Sequence, residues 1–351
     1  MLGSPPDVSS PRETFVCCVA FHPEAGWTWI SGNPHIAPGL RWSAVSTYPT
    51  ERESRLKGKT KIALARAMLQ TRRILKEKCD LIVSHGPIVA AVASVAARST
   101  SRKVPHLCYG FNYTTLPQGA SRLALSRALR GVSEFTVPST MERGLYAQYF
   151  NLPPERFKTV LWGCNPPVWD DAFQPVKPPY FCAIGGEARD YLTLSQAARA
   201  LPNVQFVIVV RSKNLPGLDM PGNVKVFVDL PYAQTWAVLR YATASIVPLE
   251  SRQTPNGHVT IVNGMHLARP HIATNSSGIT DYLADQKNAI LTEERDATGI
   301  RNAIVRFLDE PSLALQFGEA GQTFSLAHCT ERNVVEYFNS FVETSVWEHA
   351  H

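Results

Sequence analysis

The chain has 351 residues, 44% hydrophobic and 18% charged, with 21 Gly, 26 Pro and 7 Cys. These proportions exclude collagen-like, low-complexity and disulfide-scaffold classes, and the length suits two domains that each bury a core. The net charge of +6 is uneven: residues 1–170 carry a net +10 and the remainder a net −4, so the first half is the one suited to an anionic surface or ligand.

Residues 1–13 are rich in Pro and Ser and are expected to form a loose tail without an apolar core of signal-peptide length. Strand-length apolar runs then recur at TFVCCVAF (14–21), DLIVS (80–84), VPHLCYG (104–110), EFTVPS (134–139) and KTVLWG (158–163). Helical periodicity lies between them at about 60–78, 88–98, 120–130 and 139–150. Such alternation predicts a first α/β domain over 14–163, with a parallel sheet covered on both faces. The stretch LIVSHGPIVAAVASVAA (81–97) approaches the length of a membrane span, but His85, Gly86 and Pro87 interrupt it, which predicts a buried strand and a small-residue helix.

Residues 164–179, CNPPVWDDAFQPVKPP, hold five prolines and no periodic pattern and are expected to be a linker. A second α/β domain follows over 180–330, with strands at YFCAI, VQFVIVV, VKVFV, ASIVPL, HIAT and NAIL. Its helices are expected at about 191–201, 232–242, 258–268, 296–309 and 312–326, and the segment 331–351 supplies a last helix that could return to the first domain. The fold class is therefore α/β, two tandem Rossmann-like domains with ligand loops at the strand ends and an interdomain cleft. The seven cysteines are odd in number, irregularly spaced and free of any CxxC, and Cys17 and Cys18 point to opposite faces of one strand. They are expected to be buried free thiols of a reducing, cytoplasmic compartment, with no metal bound.

Three loops of the second domain carry groups suited to phosphate. In VPLESRQTPNGHVTIVNGMHLARP (247–270), Asn256 and Gly257 precede a helix whose first N–H groups, on His258, Val259 and Thr260, point outward. Asn263, on the same helix, is a candidate partner for a pair of sugar hydroxyls. In AIGGEARDY (183–191), Gly185 and Gly186 allow close approach and Arg189 supplies a fork-shaped cation; Arg211 and Lys213 stand after the next strand.

The stretch PNGHVTIVNGMHLARPHIATNSSGITDYLADQKNAIL resembles the donor-domain signature of the GT-B glycosyltransferases, in particular the retaining family 4 type. The resemblance extends over most of residues 80–325 and is weaker over 1–79. It implies transfer of a sugar from a nucleotide-sugar donor, UDP- or GDP-linked, to the hydroxyl of a glycan or lipid-linked acceptor, with retention, of the kind used in polysaccharide or glycolipid synthesis. The chain departs from the family's Glu-x7-Glu pair, with Pro255 and Asn263 in the two places, and Glu187 stands where an Arg is common, leaving Arg189 as the candidate. By the same resemblance His85 and Arg189 are the candidate catalytic residues, and Gly26, His85 and Asn112 the acceptor-side residues. A nucleotide-sugar epimerase or hydrolase on the same fold, and a non-catalytic nucleotide-sugar binder, are the alternative readings.

Residues 51–78 concentrate ten Lys and Arg against three Glu. Leu64, Met68 and Leu75 are expected to form the packed stripe of a helix there, and the cations either a solvated face or a contact with anionic lipid on the inner face of a membrane. No nucleic-acid-binding module is recognisable.

Overall fold

The computed structural model describes residues 13–22, 30–253 and 255–348. All but Glu13 of the expected tail lies outside them, as does Gly26. The first domain contains β1 (Thr14–Ala20), β2 (Leu40–Ser46), α1 (Glu51–Ser54), α2 (Lys59–Glu77), β3 (Leu81–His85), α3 (Pro87–Arg98), β4 (His106–Tyr109), α4 (Gly119–Leu129), β5 (Glu134–Val137), α5 (Thr140–Phe150) and β6 (Phe157–Thr159). The second contains β7 (Tyr180–Ile184), α6 (Tyr191–Arg199), β8 (Gln205–Val210), β9 (Val224–Val228), α7 (Tyr232–Tyr241), β10 (Ala244–Val247), α8 (His258–His266), β11 (His271–Thr274), β12 (Ala289–Thr292), α9 (Ala297–Asp309) and α10 (Pro311–His328). The chain then enters α11 (Glu331–Val342).

Each domain is built on one six-stranded parallel sheet, in the order β2-β1-β3-β4-β5-β6 and β12-β11-β10-β7-β8-β9. Central strands such as β7 are buried at every position. Helices cover both faces, so neither face favours polar side chains and the run reads as continuously apolar. The edge strand β2 escapes that signal. Its sequence, LRWSAVS, is exposed or half-buried everywhere but at Val45, because it pairs only with β1, from Thr14 opposite Leu40 to Ala20 opposite Ser46.

On α2 the buried line is Ala63, Ala67, Thr71 and Leu75, while Leu64 and Met68 are only half-buried. The small residues let the helix settle against Cys17 and Val19 of β1 and Val89 and Ala93 of α3, which turns it one residue away from the stripe expected from the largest side chains. The segment 164–179 is irregular but docked: Trp169, Phe173 and Val176 pack on the second domain's core beside Phe227, Leu230 and Tyr241. The helix α11 packs on the first sheet, where Val334, Phe338, Phe341 and Val342 meet Val16, Leu81, Val83, Leu107 and Tyr109.

The chain thus crosses between the domains twice, and the crossings lie side by side. The Cys164 N–H donates to the Cys329 carbonyl at 3.0 Å, and a Cβ on Gly163 would fall 2.4 Å from the Thr330 oxygen. One neutral imidazole ties both to α8: His266 Nε2 donates to the carbonyls of Cys164 (3.0 Å) and Cys329 (3.2 Å), while its Nδ1 accepts from Ser325 at 3.1 Å. All seven cysteines are free thiols, six of them buried and Cys164 half-buried. Among the described residues no helix is long and apolar enough to cross a membrane.

Candidate active site in the interdomain cleft

The carboxyl edges of the two sheets face a cleft of about 870 Å³. On its second-domain wall the chain leaves β7 through Gly185, at φ +130°, and Gly186. The loop is then fixed from both sides. Arg189 bridges to Leu249 in antiparallel fashion, Asp190 N–H donates to the Pro248 carbonyl at 2.9 Å, and the Asp190 carboxylate caps α6 through Thr193 N–H at 2.9 Å. This framing brings the Arg189 side chain back over Gly185, where a Cβ would stand 2.8 Å from Nη2. A glycine is required there both for the backbone angle and for the room.

Arg189 is only 8% exposed. Its guanidinium donates to the Glu187 carbonyl at 2.8 Å and to Thr260 Oγ1 at 3.3 Å, and Nε has no partner. Burial lowers its pKa from the usual guanidinium value, yet an arginine stays protonated in such a setting. Thr260 Oγ1 donates in turn to the Ile184 carbonyl at 3.2 Å, so the β7 loop and the start of α8 are locked together. That helix begins after Gly257, at φ +104°, with no side-chain cap. Asn256 lines the cleft beside it, 8% exposed and with its Nδ2 unpartnered. A helix start without a cap, one buried cation and one unsatisfied amide are what a bound anion with hydroxyl neighbours would complete.

The remaining predicted donor residues divide. Arg211 lines the cleft, its stem laid against Gly186, where a Cβ would meet Cγ at 2.9 Å. Lys213 does not line it and forms an ion pair with Glu187 at the rim. His258 offers the cleft its backbone; its ring turns inward, Nε2 donating to the Gly278 carbonyl at 2.8 Å and packing on Tyr282. Burial, and secondarily the charge of Arg189, push that imidazole down to about 4, which keeps it neutral. Asn263 does not itself line the cleft: its side chain is buried, Nδ2 donating to the Val259 carbonyl at 2.8 Å and Oδ1 lying 3.9 Å from the thiol of Cys164, which does. Helical phase explains this, since the position six residues after Gly257 faces the crossing segments and not the opening of the helix.

On the first-domain wall His85 ends β3, stacked over Gly110, whose added Cβ would lie 3.1 Å from Nε2. Its ring is accessible from the open cleft but enclosed by protein, and desolvation lowers its pKa. Asn112 also lines the cleft and reaches across it: Nδ2 donates to Glu142 Oε1 at 2.9 Å and to the Pro255 carbonyl at 3.3 Å. Glu142, which sequence reasoning missed, is fully buried; Ser139 Oγ and Tyr146 Oη also donate to it, at 2.7 and 3.0 Å. Burial pushes its pKa up to about 7 against those donors. The available signal was Ser139-x-x-Glu142, the spelling of a helix-start capping box. Leu230, Thr235 and Trp236 line the far end of the cleft past β9 and were legible only as a strand end. Among the described residues no group of three His, Cys, Asp or Glu could hold a metal ion.

Residues 172–324 match the family model described as glycosyl transferases group 1. That match spans most of the second domain. The whole architecture is that of GT-B glycosyltransferases. Sucrose-phosphate synthase from Thermosynechococcus elongatus superposes with a TM-score of 0.72 at 14% identity, over 96% of this chain and 100% of that one. A glycosyltransferase from Rickettsia africae gives 0.70 at 12% identity over 95% and 99%, and Anabaena HepE in complex with UDP gives 0.65 at 12% over 94% and 100%. No curated protein matches the sequence. The family match runs from the docked Pro-rich segment into α10 and includes both the Arg189 loop and the Gly257 helix start.

Proposed function

We propose that the protein is a glycosyltransferase that moves a sugar from a nucleotide-sugar donor to an acceptor hydroxyl. The carrying observation is the Arg189 guanidinium, buried, short of one hydrogen-bond partner and tied through Thr260 to the uncapped start of α8, on the wall of a cleft between two domains. The donor diphosphate would sit on Arg189 and on the N–H groups of His258, Val259 and Thr260, with Arg211 beside it and Lys213 drawn in from its pair with Glu187. These groups bind charge that grows as the diphosphate leaves, so they stabilise the transition state more than the ground state. Asn256 would take a donor hydroxyl, and His85, neutral and opposite, a hydroxyl of the reacting sugar. The solved complexes of HepE with UDP and with UDP-glucose support a uridine donor. Retention of configuration and a glycan or lipid-linked acceptor remain part of this proposal, as the family 4 resemblance implies.

The test is incubation with UDP- and GDP-sugars, with and without glycan acceptors. Release of nucleoside diphosphate that depends on an acceptor is expected. An isomerised nucleotide sugar, acceptor-independent hydrolysis, or binding without turnover would each overturn transfer in favour of an epimerase, a hydrolase or a binder.

A further inference from the structure

Among the described residues of the first domain, six of the eight exposed large apolar side chains gather on one edge; Leu69 and Val95, further along α2 and α3, do not. In a parallel α/β domain the carboxyl ends of the strands and the starts of the following helices share an edge. Phe21 stands just past β1, Tyr48 just past β2, Leu56 between α1 and α2, and Ile62, Ile88 and Leu123 in the opening turns of α2, α3 and α4. Phe21, Leu56 and Leu123 are 58%, 52% and 59% exposed, and the Phe21 and Tyr48 rings pair at 5.1 Å. A single exposed leucine is ordinary, but a succession along one edge marks a contact surface.

The same edge is cationic. Arg52, Arg55, Lys57, Lys59 and Lys61 are all exposed, and Leu56 lies between two of them in sequence. Of the two acids in that segment, Glu53 is held by Arg66 at 2.9 Å, leaving Glu51. Neither α3 nor α4 contains an acidic residue. Apolar side chains set among Lys and Arg match an anionic lipid interface, in which the former enter the acyl boundary and the latter meet headgroups.

We propose that this edge docks on an anionic phospholipid membrane. The cleft opens at the same edge, with His85 at the end of β3 between the Tyr48 and Leu123 loops, so docking presents the acceptor side of the cleft to the lipid surface. This inference goes beyond the donor site and does not depend on it.

The test is co-sedimentation of the full chain with phosphatidylglycerol-rich vesicles and with phosphatidylcholine vesicles, without nucleotide. Retention on the anionic vesicles at low salt and release at high salt are expected. Leu56→Glu with Leu123→Glu should reduce retention about tenfold, and Lys57→Glu with Lys59→Glu comparably, while Leu315→Glu, an equally exposed site on α10, should leave it unchanged. Absence of wild-type retention overturns the proposal, as does equal loss from Leu315→Glu. Binding to heparin without vesicle retention would assign the edge to a soluble polyanion. Dimerisation abolished by Leu56→Glu, again without vesicle retention, would assign it to a second copy. Thermal unfolding of each variant confirms that lost retention is not lost folding.

Discussion

Arg189 concentrates the case at the residue scale, because its charge is buried and still has a donor to give. Charge-assisted hydrogen bonds contribute about 1.5–3 kcal/mol, so Arg189→Ala should weaken nucleotide binding by about tenfold or more in titration calorimetry. Unchanged affinity would remove Arg189 from the site. Gly185→Ala places a methyl at 2.8 Å from the same guanidinium and at φ +130°, which costs on the order of 1–3 kcal/mol of strain. Its melting temperature should fall by several degrees together with nucleotide affinity. Burial also holds three imidazoles neutral, His106 at about 3 and His258 and His271 at about 4. The unfolded chain protonates these groups below about 6.5 while the fold refuses the proton, so stability is full above that pH and declines as pH falls towards 4. Glu142, raised to about 7, works the other way over part of that range, but it is one carboxyl against three imidazoles. The urea midpoint should therefore be lower at pH 5 than at pH 7, and an equal or higher midpoint would refute the assignment.

At the element scale, α5 of the first domain is capped from the second. Asp281 accepts from the Thr140 N–H at 2.6 Å and from its hydroxyl at 2.9 Å, and Tyr282 Oη donates to the Pro138 carbonyl at 2.6 Å. A cap of this kind contributes about 1 kcal/mol to a helix. Here it also links the domains beside Asn112 and Pro255. Asp281→Ala should lower the melting temperature by a few degrees and enlarge the radius of gyration measured by X-ray scattering without ligand; an unchanged radius would show that the contact does not set the opening of the cleft. Continuous apolar runs made the central strands legible, whereas the half-exposed edge strand β2 looked like loop. The stripe on α2 was misplaced because packing selected small residues, Ala63 and Ala67, over Leu64 and Met68.

For the whole molecule, α11 makes the two domains one covalent circuit: the chain leaves the first domain at Gly163 and returns to it after Thr330. Fully burying an apolar side chain contributes about 1.5–3 kcal/mol, so Val334, Phe338, Phe341 and Val342 together represent about 6–12 kcal/mol, comparable with the whole stability of a domain. Ending the chain at residue 330 should give an aggregating or dye-binding protein; a soluble, cooperatively unfolding product would contradict this. The charge asymmetry also takes a place in the fold. The domain with net negative charge would hold an anion by a few aimed groups, and the bulk positive charge lies on the other domain, much of it at the edge of α1 and α2.

The alternation of apolar strands with periodic helices, the glycines at 185 and 257 and the uncapped helix that follows are local properties, and the amino-acid sequence determined them without help. Which side chain faces the cleft is not local. Asn256 and Asn263 are seven residues apart and chemically identical, yet the loop before α8 sets one against the cleft while helical phase within α8 buries the other against Cys164. Lys213 reads as a free cation until Glu187, 26 residues away, takes it, and Asn112 becomes an interdomain contact only because Pro255, 143 residues on, lies across the cleft. Such pairings depend on distances between remote segments, which the packed tertiary structure alone sets.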